Sequence, residues 1–226
     1  MTLIRLVVTG DLEQAALAQA LGRAFPTAEF EPLGGMVGQG FTSREVRHFE
    51  EGPVASDVMK YAAYIVAEVE NPGTRRHKRA DHVIAVEDLE LVNAGHAGHV
   101  VQALRSAVFA HVRATYSEPS ERSRVFEALR QRASFHIAAP MTESWFFGEP
   151  AALVRAGQLN ARPSLFDRAT CDPEDFKVDD PTYAAVPPSE LKREWPHSPD
   201  VRSKHPKKYV SFLADKHLHG STAYRE

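Results

Sequence analysis

Carboxylate side chains follow three of the strands that the sequence predicts, at the point where each strand ends. Asp11 and Glu13 follow the first strand, the stretch Glu87-Asp88-Leu89-Glu90 follows the third, and Glu143 follows the fourth. Ligands of an open α/β sheet bind outside the carboxyl ends of its strands. Carboxylates gathered there repel one another unless a cation lies between them, and Mg²⁺ (or Mn²⁺) prefers such oxygen ligands. The spacing therefore predicts a Mg²⁺ (or Mn²⁺) site at this edge.

Asp88 and Glu90 are the best-placed pair for that ion. Alternate residues of an extended segment point the same way, so both carboxylates can reach one metal. Glu143 is a further candidate, because an acid beside the aromatic run Trp145–Phe147 needs a metal or a basic partner. Taken singly, three of the acids are more typical of solvated loop residues: Asp11, Glu13 and Glu87.

Two histidines open a different possibility. His96 and His99 come directly after the acidic stretch and lie three residues apart, a spacing that can flank a metal on a helix. With Asp88 and Glu90 they could form a metallohydrolase site for a small phosphorylated substrate. Because the H-E-x-x-H spacing is absent, we favour a glycine-containing loop followed by a helix start.

Two basic runs, Arg75–Arg79 and Lys204–Lys208, could contact the phosphates of DNA or RNA. The chain carries a formal charge of −3, so nucleic-acid binding must come from local patches. Solvated loops, or surfaces that face an acidic partner, are the alternatives. The predicted nucleic-acid-binding residues are Arg75, Arg76, Lys78, Arg79, Lys207 and Lys208.

The hydrophobic spacing predicts an α/β fold in the order β-α-β-α-β-α-α-β, with a mostly parallel sheet flanked by helices. The predicted strands are Leu3–Val8, Ala28–Leu33, His82–Val86 and Ser134–Ala139. The predicted helices are Asp11–Phe25, Ser56–Val69, His99–Tyr116 and Ser120–Arg132, followed by short helical pieces at Thr142–Phe147 and Pro150–Ala156.

We expect an α/β domain over residues 1–157 and an irregular extension rich in Pro, Asp and Ser over 158–226. The single cysteine, Cys171, excludes an intramolecular disulfide. The apolar start of the chain is typical of a first strand and not of a signal peptide. No apolar stretch approaches the roughly 20 residues of a membrane helix. These features predict a cytoplasmic protein without a membrane partner.

Four short blocks resemble the TOPRIM group of topoisomerases, primases and OLD-type nucleases, and an uncharacterised bacterial family related to it. Two of them, Val8–Glu13 and Ala85–Glu90, are similar to the acidic strand ends of that fold. The others, Met141–Pro150 and His205–Val210, are similar to segments of the related family. The resemblance implies a TOPRIM/Rossmann-like fold, Mg²⁺-dependent phosphodiester cleavage, and an ABC- or OLD-type ATPase partner in phage defence.

The resemblance implies that Glu13 is a third metal ligand and that Glu13, Asp88, Glu90 and Glu143 are catalytic. Thr9 departs from the pattern, because TOPRIM enzymes carry a glutamate at that position. A threonine hydroxyl cannot replace a carboxylate in proton transfer near neutral pH. Either Glu13 or Asp11 substitutes, or the chain is an inactive subunit that docks an ATPase or binds nucleic acid. A homo-oligomer is compatible with the sequence.

Overall fold

A computed structural model of the chain describes residues 1–10, 13–33, 40–42, 54–74, 77–89, 93 and 95–139. By compactness the chain divides into two units. The first comprises residues 1–42, 46–87 and 95–137, and the second comprises 43–45, 88–94 and 138–226. The predicted boundary at 157/158 and the helical pieces at 142–147 and 150–156 lie outside the described residues.

The predicted α/β fold is confirmed, with four parallel strands flanked by helices. The strands are β1 (Thr2–Val8), β2 (Ala28–Pro32), β3 (His82–Asp88) and β4 (Ala133–Ala138). The helices are α1 (Ala18–Ala24), which continues a π-helical turn at Glu13–Leu17, α2 (Ser56–Glu70), α3 (Ala97–Thr115) and α4 (Pro119–Arg132).

The sheet has the order β2-β1-β3-β4, so β1 lies inside it and pairs with both β2 and β3. The chain moves one way from β1 to β2 and the other way from β2 to β3 and from β3 to β4. Right-handed crossovers then place α1 on one face and α2, α3 and α4 on the other. Contacts agree with this, because α1 packs on β2 whereas α2 packs on α3 and α4.

The core follows from this layering. Leu6, Val7 and Val8 of β1 are almost completely buried, as expected for a strand covered on both faces. One side of α2 is buried against the sheet, and its largest buried side chain is Tyr61. No helix in the described part of the chain is long and apolar enough to cross a membrane.

Candidate functional site

Glu87 lies inside the protein at the carboxyl end of β3. The strand alternates, with Val83, Ala85 and Glu87 buried and the residues between them partly exposed. Glu87 is only 1% exposed. Because β3 extends two residues beyond the predicted end at Val86, this carboxylate belongs to the strand and points into the core.

Two threonines hold the Glu87 carboxylate. The Thr9 hydroxyl, just after β1, donates a hydrogen bond to Glu87 Oε2. The backbone N–H and the hydroxyl of Thr42 donate longer hydrogen bonds of 3.4 Å to Glu87 Oε1. These donors satisfy carboxylate oxygens and fix their orientation.

Glu13 is the second inward carboxylate. It begins the π-helical turn after β1, which is joined to Gly10 by a 3.0 Å hydrogen bond from Gln14 N–H to the Gly10 carbonyl. Glu13 is 7% exposed, and its carboxylate has no hydrogen bond or ion pair within the described part of the chain. A nearly buried carboxylate without a polar partner is costly unless a cation or a donor reaches it.

Each carboxylate lies against a glycine backbone. A Cβ atom at Gly40 would lie 2.7 Å from Glu87 Oε1, and a Cβ atom at Gly10 would collide with Glu13 Oε2. Real Cβ atoms essentially never come that close, so the two carboxylates can occupy these positions only if residues 10 and 40 lack side chains.

Tyr61 connects the site to the sheet. Its hydroxyl lies 2.9 Å from the Val7 carbonyl and 2.8 Å from the Val86 carbonyl, at the carboxyl ends of β1 and β3. Burial is the main reason why the pKa of the Tyr61 phenol lies well above its usual value, and the charges of Glu87 and Glu13 raise it further. Both carboxylates therefore act on one hydroxyl, which keeps its proton.

The structure describes only some of the residues that were predicted to bind the metal. Asp88 is the last residue of β3 and is partly buried, and strand alternation directs it away from the face that Glu87 occupies. Glu90, Glu143 and Asp11 lie outside the described residues. Among the residues that are described, no three His, Cys, Asp or Glu side chains group closely enough to hold a metal ion.

The interpretation of Glu13 and Glu87 as solvated loop acids is wrong, because both are buried. Glu87 was also missing from the predicted site. The alternation Val83, Ala85, Glu87 was a signal that could have found it, since side chains two residues apart share a face. The apolar residues between them, Ile84 and Val86, made the strand look uniformly buried and hid that alternation.

His96 and His99 are neighbours in space. Their ring centroids lie 5.8 Å apart, and both side chains are exposed at the start of α3. No third ligand joins them in the part of the chain that the structure covers. The metallohydrolase alternative stays a prediction.

The first basic run lies at the opposite edge of the sheet, because it precedes β3. Two of its members pair with carboxylates: His77 Nε2 is 3.3 Å from Glu68, and Lys78 Nζ is 3.7 Å from Glu29. Arg79 is exposed. The five residues of β3 that precede Glu87 separate it from this amino edge by about 17 Å, at roughly 3.3 Å per residue. Four predicted members lie outside the described residues: Arg75, Arg76, Lys207 and Lys208.

A buried arginine organises the amino edge. Arg5 of β1 is 3% exposed and lies opposite Glu31 in the strand register. Its Nη1 is 2.6 Å from Glu31, its Nε is 3.4 Å from Glu68, and its Nη2 donates to the Lys78 carbonyl at 3.2 Å. This guanidinium ties β2, α2 and the loop before β3 to the central strand.

Comparison of the chain with protein-family models, with curated proteins and with solved structures finds no match. The resemblance to TOPRIM proteins therefore stays a prediction that rests on the quoted residues.

Proposed function

We propose that this chain is a Mg²⁺- or Mn²⁺-dependent nuclease subunit that hydrolyses phosphodiester bonds in DNA or RNA at the carboxyl edge of its sheet. The observation that carries the proposal is the Glu13 carboxylate. It is nearly buried, it has no polar partner within the described residues, and its charge, like that of the buried Glu87, raises the pKa of the Tyr61 phenol. Two such charges favour a cation between them.

The side chains fit the proposed ion. Carboxylate oxygens are hard ligands, which Mg²⁺ and Mn²⁺ prefer over nitrogen or sulfur. Mg²⁺ usually takes one or two carboxylates and completes its shell with water and phosphate oxygens. Glu13 and Glu87 would supply the two carboxylates. Asp88 and Glu90, which follow Glu87 in the chain, remain predicted ligands.

The bound ion would polarise the phosphate and lower the pKa of an attacking water. The chain's own residues prepare that chemistry. The Thr9 hydroxyl orients Glu87, in the way that outer partners orient metal-binding carboxylates. Tyr61 holds the ends of β1 and β3 together. Since Thr9 cannot accept a proton near neutral pH, Glu13 is the described acid that would take one.

The proposal includes an ABC- or OLD-type ATPase partner and a role in phage defence, and both rest on the resemblance alone. The basic residues before β3 would contact the nucleic acid. Because they lie about 17 Å from Glu87, a polynucleotide that touches both places spans about five steps of roughly 3.4 Å. A long substrate suits this layout better than a short one.

Mn²⁺ binding and plasmid nicking by the purified chain test the proposal. Glu13→Gln and Glu87→Gln keep the side-chain size and remove the charge. We expect both to weaken Mn²⁺ binding and to slow nicking by more than the roughly 10–100-fold that loss of an outer partner costs. Glu121→Gln, at an exposed acid of α4, is the matched control. Asp88→Ala asks separately whether the predicted ligand takes part.

Nicking and Mn²⁺ binding that stay at the wild-type level in Glu13→Gln would remove the metal-site proposal. To exclude an inactive preparation, the assay should run with and without the ATPase partner. Folding of each variant should be checked by circular dichroism.

The second candidate is a non-enzymatic subunit, and the hydrogen bond from Thr9 to Glu87 favours it. A hydroxyl donor is a sufficient structural solution for a buried carboxylate, with no catalytic role required. In the same assay, Thr9→Glu would place a third carboxylate beside Glu87. Nicking gained only in that variant indicates a decayed active site, whereas metal binding without nicking in either protein supports the docking role.

A further inference from the structure

An apolar groove lies on the helical side of the first unit, between α3, α4 and the start of β4. It encloses about 680 Å³, a size within the roughly 300–1,000 Å³ of ligand-binding pockets. β4 contributes residues 133–135, its first three, which lie at the amino edge of the sheet. One lining residue, Phe135, also packs against Tyr61 of the acidic site, with ring centroids 6.2 Å apart.

The apolar lining comes from an outward stripe of α3. Val101, Val108 and Phe109 recur at helical spacing and remain partly or largely exposed, whereas the buried stripe of the same helix faces the core. Phe109 is 48% exposed and stacks on Phe126 of α4, with ring centroids 4.7 Å apart. An exposed aromatic pair on the wall of a concave surface is typical of a binding site.

The polar side chains of the groove are cationic. Arg105 and Arg130 line it together with Ser134, and the described lining residues include no carboxylate. Arg130 pairs with Glu127 on its own helix at 3.1 Å, whereas Arg105 is exposed and makes no ion pair within the described residues. Arg105 lies one helical turn from Phe109, so its guanidinium and the aromatic pair share one face.

We propose that the groove binds an apolar monocarboxylate such as a medium-chain fatty acid. The hydrocarbon chain would lie on the Phe109–Phe126 pair, and the carboxylate would pair with Arg105. Charge complementarity selects this occupant over a neutral one, because a guanidinium binds a carboxylate through two parallel hydrogen bonds. The same ligand would be repelled by the two carboxylates of the acidic site.

Isothermal titration calorimetry with decanoate and with decan-1-ol tests the proposal on the full chain. We expect decanoate to bind at one saturable site and decan-1-ol to bind more weakly. Arg105→Gln should weaken the binding of decanoate by about tenfold, the low end of what loss of charge-assisted hydrogen bonding costs, because Arg105 is exposed. The same substitution should leave the affinity for decan-1-ol unchanged. Arg113→Gln, an exposed arginine of the same helix outside the groove, is the matched control.

A groove-filling variant, Val108→Trp, should abolish binding of both compounds. The proposal is overturned if neither compound binds, if decan-1-ol binds as tightly as decanoate, or if the two arginine variants lose affinity equally. It is also overturned if light scattering shows a dimer that Val108→Trp dissociates, because a second copy of the chain would then cover the groove.

Discussion

The two edges of the sheet bury charge in different ways. At the amino edge, the Arg5 guanidinium lies between the carboxylates of Glu31 and Glu68, so opposite charges meet across three elements. At the carboxyl edge, Glu87 receives hydrogen bonds from Thr9 and Thr42, and the charges of Glu87 and Glu13 both raise the pKa of Tyr61. In the first arrangement opposite charges meet inside the fold, although Arg5 Nε makes no hydrogen bond. In the second, the nearly buried Glu13 carboxylate has no polar partner among the described residues.

This difference gives the two edges different roles. A buried ion pair whose partners all come from the protein connects elements, and breaking it destabilises the fold. A nearly buried carboxylate without a polar partner is retained against a cost, and such places cluster at functional sites. Variants at the amino edge should therefore change stability, whereas variants at the carboxyl edge should change ligand binding with smaller effects on stability.

The largest effect is expected for Arg5→Met. The change removes the cation and leaves the Glu68 carboxylate, which is 10% exposed, without that partner. Loss of one member of a buried pair costs about 3–5 kcal/mol in the free energy of unfolding. Urea denaturation followed by circular dichroism measures it.

Lys78→Met is the control for that experiment. Lys78 is 69% exposed and its nitrogen lies 3.7 Å from Glu29, so it should contribute less than about 1 kcal/mol. Equal losses in the two variants would show that the amino edge is not organised by the buried guanidinium.

Most of the fold could be predicted from the sequence. The order of elements was right, and helices such as α2 and α4 begin and end within one residue of their predicted bounds, because their apolar spacing is regular. The π-helical turn at Glu13–Leu17 gave no signal, since residue spacing does not distinguish it from an α-helical turn.

The site was harder to predict from the sequence, because its contacts join residues of different strands. Thr9 and Glu87 are 78 residues apart, and they meet only because β1 and β3 are neighbours. The sequence placed acids at the strand ends but could not say which of them point inward. Arg5 was overlooked for the same reason, since its partner Glu31 becomes adjacent only through the β1–β2 register.

A smaller effect on the free energy of unfolding, and one that depends on pH, is expected for Tyr61→Phe. At neutral pH, loss of the hydrogen bonds at the Val7 and Val86 carbonyls should cost about 1–2 kcal/mol. Burial and the two carboxylates raise the pKa of Tyr61 in the folded chain above the value of about 10 in the unfolded chain. Above pH 10 the unfolded state loses this proton first, so wild-type stability should fall by up to about 1.4 kcal/mol per pH unit.

The Tyr61→Phe variant lacks that group, so its free energy of unfolding should fall less steeply above pH 10. Tyr64→Phe, at an exposed tyrosine of the same helix, is the control and should keep the wild-type slope. Tyr116, whose pKa is also raised by burial and by Glu70, is present in both variants and cancels from the comparison. Parallel curves for wild type and Tyr61→Phe would contradict the raised pKa of the Tyr61 phenol and its burial.

The smallest effect on stability, and the sharpest separation of stability from binding, is expected for Gly10→Ala. The added methyl group collides with the end of the Glu13 side chain, which can rotate away, so the free energy of unfolding should change by less than about 1 kcal/mol. The displaced carboxylate should nevertheless lose its position for Mn²⁺. Gly22→Ala, inside α1 with open space around it, should stabilise the chain by about 1 kcal/mol and leave Mn²⁺ binding unchanged. Wild-type Mn²⁺ affinity in Gly10→Ala would mean that the orientation of Glu13 has no part in the site, and the contrast between the two edges would then rest on Glu87 alone.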